Sequence, residues 1–228
     1  MRLAIVGPGR MGRAVAATAA ERGHTITAEI GTGGLTAEAV RGAEVAIEFT
    51  TPDAAADNLL TLAGLGMPTV SGTTGWYDRL ADVDTAFRRA GVGLVYAPNF
   101  SLGVQLLLRA ARELARVAAH HPEFDAWIVE THHRRKQDAP SGTARALQNA
   151  LRAADGTRRY PVTSIRAGEV PGTHSLWLDA AGESVSLTHT ARDRSIFARG
   201  AVVAAEWLMA HPAAGAHAFG AVLPGEES

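Results

Sequence analysis

A short apolar run, Leu3-Ala4-Ile5-Val6, leads straight into Gly7-Pro8-Gly9-Arg10-Met11-Gly12. The spacing is G-x-G-x-x-G, and it leaves the chain few ways to fold. Glycines at these positions permit a tight turn from a strand into a helix and let backbone approach a pyrophosphate. An alanine-rich stretch over 13–22 follows, with Gly23 as its stop, and then a strand-like stretch over 24–30. The pattern predicts strand, helix, strand, with a dinucleotide at the helix start. The plain alternative is a glycine-rich turn that binds nothing.

The alternation continues. Strands are expected over 44–49, 68–71 and 93–96, with helices from 50–53 to about 65 and over 77–90. Such alternation predicts a parallel, doubly wound sheet of the Rossmann-like α/β class. Ligands of these sheets lie beyond the carboxyl ends of the strands, where the exits at 50–53, 72–75 and 97–101 fall. A helix over 102–120 comes next, with Leu106, Leu107, Ala110, Leu114 and Val117 as its expected inward stripe. Arg109, Arg112 and Arg116 read as its solvated face. Beyond it, strands are expected over 124–130, 162–166, 173–178 and 184–189, with a hairpin-like turn at 179–183. These predict a second sheet, mixed or antiparallel, in a smaller α+β domain. A last helix is expected over 201–210.

Residues 130–144, Glu-Thr-His-His-Arg-Arg-Lys-Gln-Asp-Ala-Pro-Ser-Gly-Thr-Ala, carry the densest chemistry. They read as strand, cationic loop and helix start. Ser141 is an expected N-cap, and the amides of Gly142 and Thr143 would then face outward. A helix N-terminus carries partial positive charge and binds anions. Histidine and lysine beside it can donate protons. The combination suits a small polyanion that must be protonated. The plain alternative is a solvated basic turn before an ordinary helix.

The basic cluster is local, because net charge is only −1 and pI about 6.8. No nucleic-acid or membrane partner is therefore expected. The chain has no cysteine, which removes disulfides and thiolate metal sites and suits the cytoplasm. No metal is expected.

These motifs together resemble the 4-hydroxy-tetrahydrodipicolinate (dihydrodipicolinate) reductase family. The likeness is carried by residues 7–12, Phe49-Thr50-Thr51-Pro52, Gly72-Thr73-Thr74-Gly75, Ala97-Pro98-Asn99-Phe100-Ser101, the 130–144 run, residues 166–174 and residues 197–201. The resemblance implies reduction of 4-hydroxy-tetrahydrodipicolinate to tetrahydrodipicolinate in diaminopimelate and lysine biosynthesis, by hydride transfer from NADH or NADPH. It implies a dinucleotide-binding domain of residues 1–101 plus about 201–228. Residues from about 102 to 200 would form the substrate domain, whose sheet builds a homotetramer. His132 would be the general acid/base and Lys136 a second proton donor. His133, Ser141, Gly142 and Thr143 would hold the substrate. Cofactor contacts would be Gly7, Pro8, Gly9, Arg10, Met11, Gly12, Gly72, Thr73, Thr74, Ala97, Pro98, Asn99 and Phe100. Gly31 stands where many members place an acidic residue for the ribose hydroxyl, and the glycine loop is a residue shorter than in some. Two other functions fit the same residues. One is a nicotinamide-binding regulatory protein without turnover; the other is an enzyme acting on a different carbonyl or imine acid.

Overall fold

β1 (Arg2–Val6) is buried from Leu3 to Val6 and lies between β2 (Thr25–Ile30) and β3 (Val45–Glu48), parallel to both. β4 (Thr69–Ser71) and β5 (Gly93–Tyr96) extend the sheet beyond β3, again in parallel. The central strands are covered on both faces, which is why they read as unbroken apolar runs rather than alternating ones. Among the helices of this layer are α1 (Arg10–Glu21), α2 (Pro52–Gly64) and α3 (Leu80–Ala90). The computed structural model describes residues 1–223. It divides into two compact units, Met1–Phe100 with the described residues from Ser195 onward, and Ser101–Arg194. Residues 224–228 of the expected first domain lie outside the described part.

α6 (Ser195–Ala210) and β10 (Gly215–Ala218) return to the first unit. β10 pairs in parallel with β5, giving the order β10-β5-β4-β3-β1-β2. α6 starts six residues before the expected 201. Gly200 looks like a boundary in sequence but lies inside the helix. A Cβ there would come within 1.7 Å of the Phe100 carbonyl oxygen, so the glycine serves close packing.

The second unit opens with α4 (Leu102–Ala118), β6 (Asp125–His132) and α5 (Gly142–Ala154). β7 (Val162–Arg166), β8 (Thr173–Ala180) and β9 (Glu183–Thr190) complete a mixed sheet of order β7-β6-β8-β9. Only the β6–β7 pair is parallel. α4 and α5 cover one face, packing Leu107, Ala111, Leu147 and Leu151 onto Ala126, Ile128, Leu176 and Leu178. The inward stripe of α4 differs from the expected one. Val104, Leu107, Ala111, Ala115 and Ala118 are buried, whereas Leu106 and Val117 are 59% and 54% exposed. Small alanines let α4 approach its neighbours closely, and the bulkier residues turn outward. On the opposite face of the sheet, Trp127 and Trp177 stack at 6.1 Å and stay half-buried.

Candidate active site

In the first unit, α1 begins at the glycine loop. Gly7 has φ +93°, and a Cβ on it would lie 2.2 Å from the Phe49 carbonyl oxygen. Only glycine fits there. Gly9, the N-cap, meets nothing within 4 Å on its Cβ side and makes no side-chain cap bond. The first turn of α1 also holds no acidic residue. A phosphate could therefore reach the helix start unhindered.

A cavity of about 330 Å³ lies at this edge, lined by Gly9, Arg10, Met11, Phe49, Thr50, Pro52, Gly72, Thr73 and Thr74. The expected cofactor residues Gly9, Arg10, Met11, Gly72, Thr73 and Thr74 meet here. Gly7, Pro8 and Gly12 shape the turn behind it. Ala97, Pro98, Asn99 and Phe100 do not line this cavity. Ala97 and Phe100 are buried, the Phe100 ring lying 4.7 Å from that of Phe219. Phe49, Thr50 and Pro52 belong to the lining although none was among the expected contacts. Beneath it, the buried Glu48 carboxylate accepts from Thr50 N (2.9 Å), Ser71 Oγ (2.6 Å), Thr73 Oγ1 (2.8 Å) and the Thr50 hydroxyl. One carboxylate thus ties the loops after β3 and β4 together.

In the second unit, the expected loop histidine His132 is the last residue of β6. It pairs with Arg166 of β7, and its carbonyl accepts from the Ala167 amide, so the ladder extends two residues past 130. Strand alternation then puts Glu130 and His132 on the same buried face as Ile128. His132 Nδ1 hydrogen-bonds Glu130 Oε2. Glu130 Oε1 accepts from Arg166 Nη2 at 2.6 Å and from the Ser141 amide at 3.2 Å. Burial works to raise the Glu130 carboxyl, but hydrogen bonds from Arg166 and Ser164 and the nearby His132 bring it down to about 2. Glu130 is therefore an anion at any working pH.

Its neighbour across the sheet is His174 of β8, whose own neighbour is His189 of β9. His174 Nε2 lies 3.0 Å from Ser141 Oγ, and its Nδ1 is buried without a partner. Its ring meets that of His132 edge-on at 5.1 Å. Burial, aided by His132, lowers His174 to about 4, so it is neutral. Burial also lowers His132, against the pull of Glu130.

Ser141 caps α5 as expected, its Oγ accepting from Ala144 N at 3.2 Å. Open space borders Gly142, where a Cβ would meet nothing within 4 Å. No acidic residue lies in the first turn. Thr143 follows in the same turn. The cationic loop is less cationic than its sequence. Arg134 and Arg135 are exposed and both pair with Glu169. Lys136 Nζ sits 2.6 Å from Asp138 Oδ1, which lowers the Asp138 carboxyl. His133 donates its amide to the Val170 carbonyl, and its Nδ1 is buried without a partner.

Among the described residues, Glu130, His132 and His174 offer ligand atoms within 4.8 Å of one another. A cation would have to compete with the Arg166 guanidinium already on Glu130 and with the hydrogen between Glu130 and His132. Glu130, Arg166 and His174 were not among the expected site residues. The available signal was the i, i+2 spacing of Glu130 and His132, which a strand places on one face.

A family model described as "Dihydrodipicolinate reductase, N-terminus" matches residues 1–100, and its "C-terminus" counterpart matches residues 103–223. A 4-hydroxy-tetrahydrodipicolinate reductase from Christiangramia forsetii is 36% identical over 222 residues, covering 91% of this chain and 92% of that one. Another of that name, from Acidiphilium cryptum, is 37% identical over 228 residues, with the same coverage. A solved structure described as dipicolinate-bound dihydrodipicolinate reductase from Paenisporosarcina sp. TG-14 shares the fold. Its TM-score is 0.84 at 21% identity, covering 98% of this chain and 99% of that one. With both halves matched in order and relatives this similar along nearly its whole length, the chain belongs to the dihydrodipicolinate reductase family.

Proposed function

We propose that this chain reduces 4-hydroxy-tetrahydrodipicolinate to tetrahydrodipicolinate in diaminopimelate and lysine biosynthesis. It is an NAD(P)H-dependent oxidoreductase, in keeping with its family and its Rossmann-like unit. The two names differ by one hydroxyl. The balanced change is loss of that hydroxyl as water, with one hydride and one proton gained. When bound, NADH or NADPH supplies the hydride. Gly9 to Met11 and Gly72 to Thr74 are the residues we assign to hold it, with contributions from residues 7, 8, 12 and 97–100.

The protein must place the substrate and deliver the proton. The carrying observation is His132 hydrogen-bonded to buried Glu130 beside the start of α5. His132 is the proposed acid, and it gives its proton from Nε2. Lys136 is the second donor, able to return a proton to His132 and to offset substrate charge. The amides of Gly142 and Thr143 take a carboxylate, helped by His133 and by the Ser141 cap. The dipicolinate of the Paenisporosarcina structure is a ring dicarboxylate, the substrate class this assignment requires.

We assign the half-buried Trp127–Trp177 face to contact with a second copy, as part of a homotetramer. No helix among the described residues is long and apolar enough to cross a membrane. We place the enzyme in the cytoplasm. Enzymatically generated 4-hydroxy-tetrahydrodipicolinate, mixed with either reduced cofactor, tests the function by loss of reduced-cofactor absorbance. No loss with either cofactor overturns it. Light scattering of the purified chain tests the tetramer, and a monomer would refute it.

A further inference from the structure

Four donors from three elements converge on one buried carboxylate: His132 Nδ1 at the end of β6, the Ser141 amide at the cap of α5, and Arg166 Nη2 with the Ser164 side chain on β7. Glu130 has no exposure at all. A carboxylate accepts and cannot donate, so the atom facing it must carry the hydrogen. For a neutral imidazole that fixes hydrogen on Nδ1 and a lone pair on Nε2. Nε2 then lies against bare backbone, since a Cβ on Gly172 would come within 3.0 Å of it.

We propose that Glu130 is a positioning residue for the reaction. It holds His132 with Nδ1 protonated, makes Nε2 the only atom that exchanges a proton with substrate, and locks the ring to the anion-binding start of α5. This rests on the reduction with His132 as acid. Its chemical consequence concerns the protonated state. Imidazolium carries hydrogens on both nitrogens, and the carboxylate is what stabilises it in a buried site. The other groups facing His132 work the other way or are neutral. Lys136 from the following loop and Arg166 from β7 are cationic, and Lys136 is itself paired with Asp138. His174 from β8 is neutral, and the first turn of α5 brings no acid. Without Glu130, none of these described neighbours favours its charged form.

Glu130→Gln is the test. Glutamine puts an N–H2 where one of the two accepting oxygens stood, facing four donors, so at least one partner is lost. The fall of kcat/KM with rising pH should move to lower pH by about one to three units, the usual effect of one close charge partner. Cofactor affinity should not change. The wild-type enzyme supplies a second measurement that needs no variant. In ¹⁵N spectra of labelled histidine, His132 at high pH should show a protonated Nδ1 and a bare Nε2. A bare Nδ1 overturns the proposal whether or not Glu130→Gln folds. His132→Ala separates the two layers. If it keeps turnover, the acid assignment fails. If it loses turnover while Glu130→Gln keeps the wild-type pH profile, Glu130 alone is refuted.

Discussion

As the proposed acid, His132 would hold its proton in a place that burial makes hostile to charge. If it is the acid, His132→Ala lowers kcat by about 10²–10⁴-fold, the usual contribution of a positioned acid/base. Cofactor affinity measured without substrate stays as it was; a few-fold change in kcat would refute the role. Lys136→Ala also lowers turnover, and weakens binding of pyridine-2,6-dicarboxylate about tenfold or more, as for one charged hydrogen bond. Calorimetry reads that loss directly. Histidine, lysine and the Ser-Gly-Thr run stand out as candidates in the sequence because their chemistry is carried by residue type. Glu130 does not, because a lone acid in a strand looks like surface. Its partners Arg166 and Ser141 lie 36 and 11 residues away. Likewise the pairing of Arg134 and Arg135 with Glu169 depends on a loop 34 residues on, which local charge does not reveal.

At the scale of elements, the start of α5 is the part most open to test. Ser141→Ala removes the bond to Ala144 N and the contact with His174, and should cost about 1 kcal/mol, read from urea unfolding. Gly142→Val should fold, because nothing stands within 4 Å of the added Cβ, yet should abolish dicarboxylate binding by filling the approach. Thr143→Ala keeps its amide and should be milder. Equal effects of the two would refute the backbone site. Elements whose character is written locally were legible: β1 and its glycine turn, the cap of α5, the β8–β9 hairpin. The start of α6 and the face of α4 were not. Gly200 resembles a breaker until Phe100 is seen against it. Leu106 and Val117 fit an inward stripe until the alanines of α4 are found to face the sheet.

For the whole molecule, two expectations follow from charge. Glu29 ends an exposed alternation along β2, and Gly31 to Gly34 offer neither a carboxylate nor a cation. We expect kcat/KM values for NADH and NADPH within about tenfold, or 1.4 kcal/mol. A hundredfold preference either way would refute that. The second concerns acid. His174 is lowered from the usual 6.5 to about 4 in the folded chain, first by burial. Between those values His174 holds more protons in the unfolded chain, so its contribution to stability falls as pH drops from 6.5 through 4 and is level above. His174→Gln should make the melting temperature fall less steeply with pH across that window; an unchanged slope would refute the assignment. One consequence of the fold concerns how the protein is made. Gly215 to Ala218 pair with Gly93 to Tyr96, so β5 acquires its outer neighbour only from the far end of the chain. A ribosome adding ~5–20 residues per second leaves that strand edge bare for on the order of ten seconds. A nascent chain stalled before residue 215 would present an unpaired edge to every other chain on the polysome. Such fragments should collect in the insoluble fraction, while the finished chain should not.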